Sequence, residues 1–378
     1  MSTIEDIELT AGNMISEWQQ FRMLAEVFGG TRLIENVALL NTRNGWAGFT
    51  QTARNHQLLP AIAHTLGQDK ALFGSLPEVQ QKLLRRSLLA NVRRNLAITG
   101  TALKVSKLMN RAGITPAWIK GTAGLLTDLY PSAGYRQQAD IDLVIREEEQ
   151  ETANRVLLDA GYEYAIENEV GGVPVLRGIR EFEAREQALA RYRHHHHYPP
   201  MLRAGDGFSL ELHRHPLPRR WQQKLTLDEF YSRLCEHQRN GARFFTPGSE
   251  MGIILAIMTR FASDGLGAVF DFPLPQAGDC IRHFNRTSSA TRPLDREYIQ
   301  RKCGNYFPVF VGLMDALLGI KTSASQQHSS DPSRFLKLMQ LKLRNPVVAR
   351  IINTQGRIRH ICSVLADDPG KIRRRLQA

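Results

Sequence analysis

No run of about 18 uninterrupted apolar residues occurs in the sequence, which excludes a transmembrane helix. The start, Met1-Ser2-Thr3-Ile4-Glu5-Asp6, is acidic and lacks the basic-then-apolar order of a secretory leader. Cysteine is scarce: Cys235, Cys280, Cys303 and Cys362 are scattered, with no Cys-x-x-Cys spacing for zinc or dithiol redox chemistry. Together these absences predict a cytoplasmic protein in a reducing compartment, with no membrane partner. Acidic residues are also short, 37 against 49 lysines and arginines, leaving a net charge of +12. A basic surface attracts nucleic acid, nucleotides or anionic membrane, and charge alone does not choose among them. No RNA-binding module with stacking aromatics is recognisable. What is present is globular: a hydrophobic fraction of 42% over 378 residues suffices for one large or two moderate cores.

The informative stretch is Tyr135-Arg136-Gln137-Gln138-Ala139-Asp140-Ile141-Asp142-Leu143-Val144-Ile145. Ile141, Leu143, Val144 and Ile145 read as a buried strand, on which Asp140 and Asp142, two residues apart, share a face. Two adjacent carboxylates raise each other's pKa unless a cation neutralises them. A divalent metal with oxygen ligands, Mg²⁺ or Mn²⁺, explains the pair. The bland alternative is an edge strand with both aspartates in water.

Upstream, residues 1 to 112 read as helices. Trp18, Phe21, Met23, Leu24, Val27 and Phe28 have helical spacing and stop at Gly29-Gly30. Ser75-Leu76-Pro77-Glu78 predicts a helix start, with Ser75 capping and Glu78 reaching back. The helix it opens carries Arg85, Arg86, Arg93 and Arg94, either a solvated basic face or a binding surface. Residues 113–225 form the core, beginning with a strand at Thr115–Ile119. Gly121 at the following strand-to-helix turn lets phosphate oxygens approach backbone N–H groups, and the Thr122 hydroxyl can assist. Residues 166–193 read as an insertion or mobile connection, with Gly171-Gly172 followed by a charged helical run from Ile179 to Arg193. The turn Ala204-Gly205-Asp206-Gly207 precedes a strand in which Glu211 lies between Leu210 and Leu212, an awkward place for an acid without a task. Four consecutive histidines, His194 to His197, cannot all converge from a strand and predict a surface or substrate-facing strand rather than a metal centre. Residues 226–378 read as a helical C-terminal region ending in the basic tail Lys371-Ile372-Arg373-Arg374-Arg375, a solvated end or a polyanion contact.

Lys120-Gly121, a short helix ending at Leu129-Tyr130, Gly134-Tyr135-Arg136 and the Asp-Ile-Asp-Leu-Val strand together resemble the uncharacterised nucleotidyltransferase family, a branch of the polymerase-beta-like superfamily. Glu211-Leu212-His213 matches a carboxylate-Leu-His element of the same family. The resemblance fades after about residue 290. It implies an α/β (α+β) nucleotidyltransferase core with a mixed sheet, flanked by helical regions. It further implies transfer of a nucleoside monophosphate from an NTP, ATP included, to an acceptor hydroxyl, with release of pyrophosphate. RNA such as a tRNA end, a protein side chain or a small molecule are the acceptor classes. On this resemblance Asp140, Asp142 and Glu211 hold the metal and act in catalysis, and Lys120, Gly121, Thr122 and Arg136 contact the nucleotide. Structural ion pairs from Lys120 or Arg136 to Asp140 or Asp142 are the competing expectation. The rival from another class is a non-catalytic nucleotide- or nucleic-acid-binding protein on the same fold.

Overall fold

A computed structural model describes residues 15–42, 45–170, 173–262, 272–288, 293–319, 333–345 and 348–349. The chain opens with the helices Glu17–Phe28, Leu33–Thr42, Trp46–Asn55, Leu59–Gly67 and Lys70–Gly74, then the long helix Glu78–Arg111. Ser16 caps the first of these, its hydroxyl accepting from the Gln19 N–H while the Gln19 side chain accepts from the Ser16 N–H. The box expected at Ser75 does not form. Pro77 is the N-cap, and Ser75 instead ends the preceding helix with its hydroxyl donating to the Leu72 carbonyl. Proline disfavours helical geometry in the residue before it, so Leu76 cannot join the helix.

Eight strands form one mixed sheet: β1 Ala117–Trp118, β2 Asp140–Val144, β3 Tyr162–Val170, β4 Val173–Gly178, β5 Met201–Arg203, β6 Ser209–His213, β7 Leu234–Arg239 and β8 Ala242–Pro247. Their spatial order is β4-β3-β5-β6-β2-β1-β8-β7. β2 is central, antiparallel to β1 and parallel to β6, and Ile141, Leu143 and Val144 are fully buried. A mixed α/β fold with flanking helices is therefore what the chain adopts.

Three stretches differ from the sequence-based expectation. Residues 226–378 are not helical throughout, because β7 and β8 extend the sheet beyond β1. Asn240 and Gly241, both at positive φ, make the tight two-residue turn between them, and β8 alternates buried Ala242, Phe244 and Thr246 with exposed Arg243. Within 166–193 the first half differs, since β3 pairs antiparallel with β4, while the helix Phe182–Arg191 falls in the expected charged helical run Ile179 to Arg193. The histidine run lies largely in a turn, where only His197 pairs with the sheet, opposite His213. The terminal tail, residues 371–375, lies outside the described residues.

The long helix supports the loop that feeds β2. Asn95, fully buried, donates its amide to the carbonyls of Ala133 at 2.6 Å and Arg136 at 2.7 Å. Asn91, one turn earlier, donates to those of Gly134 and Arg136. The packing is close enough that a Cβ on Gly134 would lie 2.6 Å from Val92 Cγ2 and 3.1 Å from the Leu88 carbonyl. Trp118 Nε1 donates to the buried Ser106 hydroxyl and ties β1 to the same helix. No helix among the described residues is long and apolar enough to cross a membrane.

Candidate active site

The parallel register of β2 and β6 sets Asp140 beside Ser209 and Asp142 beside Glu211. Period-two alternation turns Asp140, Asp142, Glu211 and His213 toward one face of the sheet. Asp142 is the most buried of the acids, with a side chain 3% exposed. Its Oδ1 accepts from Lys120 Nζ at 2.7 Å and from His213 Nε2 at 2.8 Å. His213, fully buried, also reaches Glu211 Oε2 at 3.4 Å and so bridges the two neighbouring carboxylates. Its Nδ1 has no hydrogen-bond partner among the described residues.

Electrostatics separate the carboxylates. The Asp142 charge, then burial, pushes Asp140 up to about 6 against the opposing pull of Lys120. Burial also opposes the charge on Asp142, but Lys120 and His213 outweigh it and hold that carboxyl below its ordinary range. Glu211 behaves alike: burial raises it, and the His213 hydrogen bond with the nearby His197 brings it well below the carboxylate range. Burial disfavours the imidazolium of His213, yet its hydrogen bonds to Asp142 and Glu211 raise its pKa above the usual histidine value. Lys120 loses solvation but is raised overall by Asp142, Glu211 and Asp140.

A cleft of about 410 Å³ opens beside these groups, lined in part by Lys120, Gly121, Arg136, Asp140 and Asp142. Lys120 has φ of 54°, a left-handed conformation that costs a non-glycine residue on the order of 1–3 kcal/mol. Gly121 serves a different need, since a Cβ there would lie 2.6 Å from Gln138 Cδ. Thr122 is buried, and its hydroxyl approaches Gln138 Oε1 at 3.5 Å rather than lining the cleft. Arg136 pairs with neither β2 aspartate. Its Nε donates to Asp279 Oδ1 at 3.2 Å, and the Tyr130 hydroxyl donates to the same carboxylate at 3.1 Å.

Of the seven site residues expected from sequence, the fold gathers Lys120, Asp140, Asp142 and Glu211 into one cluster. Gly121 and Arg136 line the adjoining cleft, and Thr122 turns away. Strand spacing puts His213 on the Glu211 face and leaves its role open; the fold makes it the bridge between two acids. Asn91 and Asn95 carry no expectation from sequence, although their i, i+4 spacing in an otherwise apolar helix face signals buried polar work. His196 and His197 lie tilted against His213, each ring centroid 5.3 Å from its own. His215 braces a loop, Nε2 donating to the Leu225 carbonyl and Nδ1 accepting from the Leu217 N–H.

The donor set fits a divalent cation. Asp142, Glu211 and His213 each offer a ligand atom within 4.8 Å of the others; Asp140, on the same face of β2, lies outside that group. Hard carboxylate oxygens suit Mg²⁺ or Mn²⁺. The raised pKa of Asp140 means that Lys120 and His213 leave negative charge uncompensated, a deficit a dication relieves.

A protein-family model described as uncharacterised nucleotidyltransferase matches residues 42–298. No curated protein and no solved structure matches the chain.

Proposed function

This chain belongs to the uncharacterised nucleotidyltransferase family, and from that premise we propose that it moves a nucleoside monophosphate from an NTP to an acceptor hydroxyl. The β2–β6 register carries the reading, because it sets Asp142 against Glu211 with Asp140 on the same face, at the mouth of a cleft lined by Lys120 and Arg136. Asp140, Asp142 and Glu211 hold a divalent cation, Mg²⁺ or Mn²⁺. When bound, that ion neutralises triphosphate charge and polarises the α-phosphoryl group. Lys120, paired with Asp142, contributes a point charge and Arg136, clamped by Asp279, a planar fork for phosphate oxygens. Gly121, which leaves room for the Gln138 side chain, lines the same cleft. The acceptor oxygen bonds to the α-phosphorus, the bond to pyrophosphate breaks, and the hydroxyl proton passes to a carboxylate of the trio. His213 keeps Asp142 and Glu211 ionised and aligned, so catalysis is mainly positioning and electrostatics.

A second reading, nucleotide binding without transfer, draws on one observation: Asp142 is already neutralised by Lys120 at 2.7 Å and His213 at 2.8 Å. Incubation with each α-labelled NTP, Mg²⁺ or Mn²⁺, and total cellular RNA or protein separates the two, with Asp140→Asn as the control. Label transferred by the wild type alone supports the transferase. Metal-independent nucleotide binding with no label from any NTP favours the binding protein.

A further inference from the structure

The long helix Glu78–Arg111 carries a second feature the carboxylate cluster does not use. It holds eight lysines and arginines and a single acid, Glu78, which pairs with Lys82. Lys82, Arg86, Arg93, Lys104, Lys107 and Arg111 are all exposed. At 100° per residue, with Arg86 as zero, they fall between about −60° and 0°, one narrow stripe running some 43 Å along the helix. The opposite face, with Leu84, Asn91, Asn95, Ile98 and Ala102, is buried against the core. Among the described residues, Arg86, Arg93, Lys104, Lys107 and Arg111 form no ion pair. A helix face stabilised for its own sake interleaves opposite charges at i, i+4, whereas a one-signed stripe repels itself and suits an extended anion.

The same helix also touches the strand that carries the site. Arg94, beside the stripe, donates to the Ala139 carbonyl, and Ala139 immediately precedes Asp140. We propose that this stripe is a docking track for RNA, held by its phosphates, and that an RNA terminal hydroxyl is the acceptor at the Asp140–Asp142–Glu211 cluster. A membrane surface fits less well, because the broad apolar side of the helix is buried, and Val79, Leu89 and Leu96, exposed near the stripe, are scattered along it and form no continuous face to enter lipid. The length of the stripe and its single sign of charge suit an extended polyanion. That RNA is the acceptor rests on the transferase reading; binding along the stripe does not. The transfer joins the RNA hydroxyl oxygen to the α-phosphorus, releases pyrophosphate and leaves the proton on a carboxylate.

Fluorescence anisotropy of the full chain with a 5′-labelled single-stranded oligoadenylate tests it, in the wild type and in Arg86→Ser/Arg93→Ser/Lys104→Ser. A control triple, Lys70→Ser/Arg155→Ser/Arg301→Ser, removes the same charge from exposed positions elsewhere. Six phosphate contacts give a log–log salt slope near −4 for a single strand, and three give about −2. The stripe variant is thus expected to bind about a hundredfold more weakly at about 0.1 M salt, with its slope halved. The control triple should stay close to the wild type. Equal losses in both triples would overturn the track, as would stripe-dependent binding of phosphatidylserine vesicles with no RNA binding. Loss of the track while label passes to protein or a small molecule would overturn it and leave the transferase reading intact. Stripe-bound RNA that the wild type never labels from any NTP would overturn the acceptor assignment.

Discussion

Asp140→Asn should stabilise the metal-free chain while abolishing its response to metal. In the folded protein the Asp140 carboxyl is pushed from 3.8 up to about 6, chiefly by the Asp142 charge 2 positions along the strand and then by burial. A group whose folded pKa is raised disfavours folding wherever it must ionise, so the cost appears above the unfolded value and is full above the folded one. At about 1.36 kcal/mol per tenfold change in proton affinity, the difference is worth roughly 3 kcal/mol at pH 8. The same linkage leaves roughly 1.6 kcal/mol at pH 5 and a few tenths at pH 4. Asparagine keeps the shape and removes the charge, so the gain of the variant should follow that series. Urea unfolding in EDTA, followed by tryptophan fluorescence across those pH values, measures it. Saturating Mg²⁺ or Mn²⁺ should reverse the order at pH 8, because ligation of the native state stabilises only the chain that binds the ion. A variant less stable than the wild type at pH 8 without metal, or a gain independent of pH, would refute the account of a crowded, under-neutralised carboxylate cluster.

His213→Gln keeps a hydrogen-bond donor but loses the cation between Asp142 and Glu211. Removing one partner of a buried ion pair costs about 3–5 kcal/mol, and the remaining Lys120 contact should hold the loss near the lower end. The raised His213 pKa makes its stabilisation complete below about 6.5 and lost as pH rises through the folded value. The acids beside it need pH above their unfolded values, so the wild-type advantage in EDTA should be greatest between about pH 5 and 6.5 and smaller at pH 9. An advantage that grows toward pH 9 would contradict the charged bridge. Asn95→Leu strands the carbonyl of Ala133 and leaves that of Arg136 to Asn91 alone, a loss of about 1–3 kcal/mol by chemical denaturation. It should also weaken nucleotide binding in a titration calorimeter, because the loop carrying Arg136 loses its support; unchanged affinity would detach that loop from the site. Gly134→Ala forces a methyl against Val92 and the Leu88 backbone, and about 1–3 kcal/mol of lost stability should follow in a thermal melt.

Local spacing by itself determined the heart of the site. A strand repeats every two residues, so Asp-Ile-Asp in an apolar run commits two carboxylates to one face whatever the rest of the chain does, and Leu-Glu-Leu-His does the same for Glu211 and His213. Asn240-Gly241 was equally legible, since that dipeptide tolerates the positive φ of a tight hairpin, yet the surrounding helical pattern masked it. Ser75 failed for a local reason too, the proline two residues on.

Tertiary structure alone decided which groups those faces meet. Asp140 and Asp142 are chemically equivalent in the sequence, but only Asp142 received Lys120 and His213, and their pKa values moved in opposite directions. Arg136 found its carboxylate at Asp279, 143 residues away, instead of on the neighbouring strand. Thr122 turned into the core toward Gln138. Partner choice of this kind depends on the register of β2 against β6 and on how the helices close over the sheet. Spacing fixes the direction a side chain faces, and only packing fixes what stands opposite.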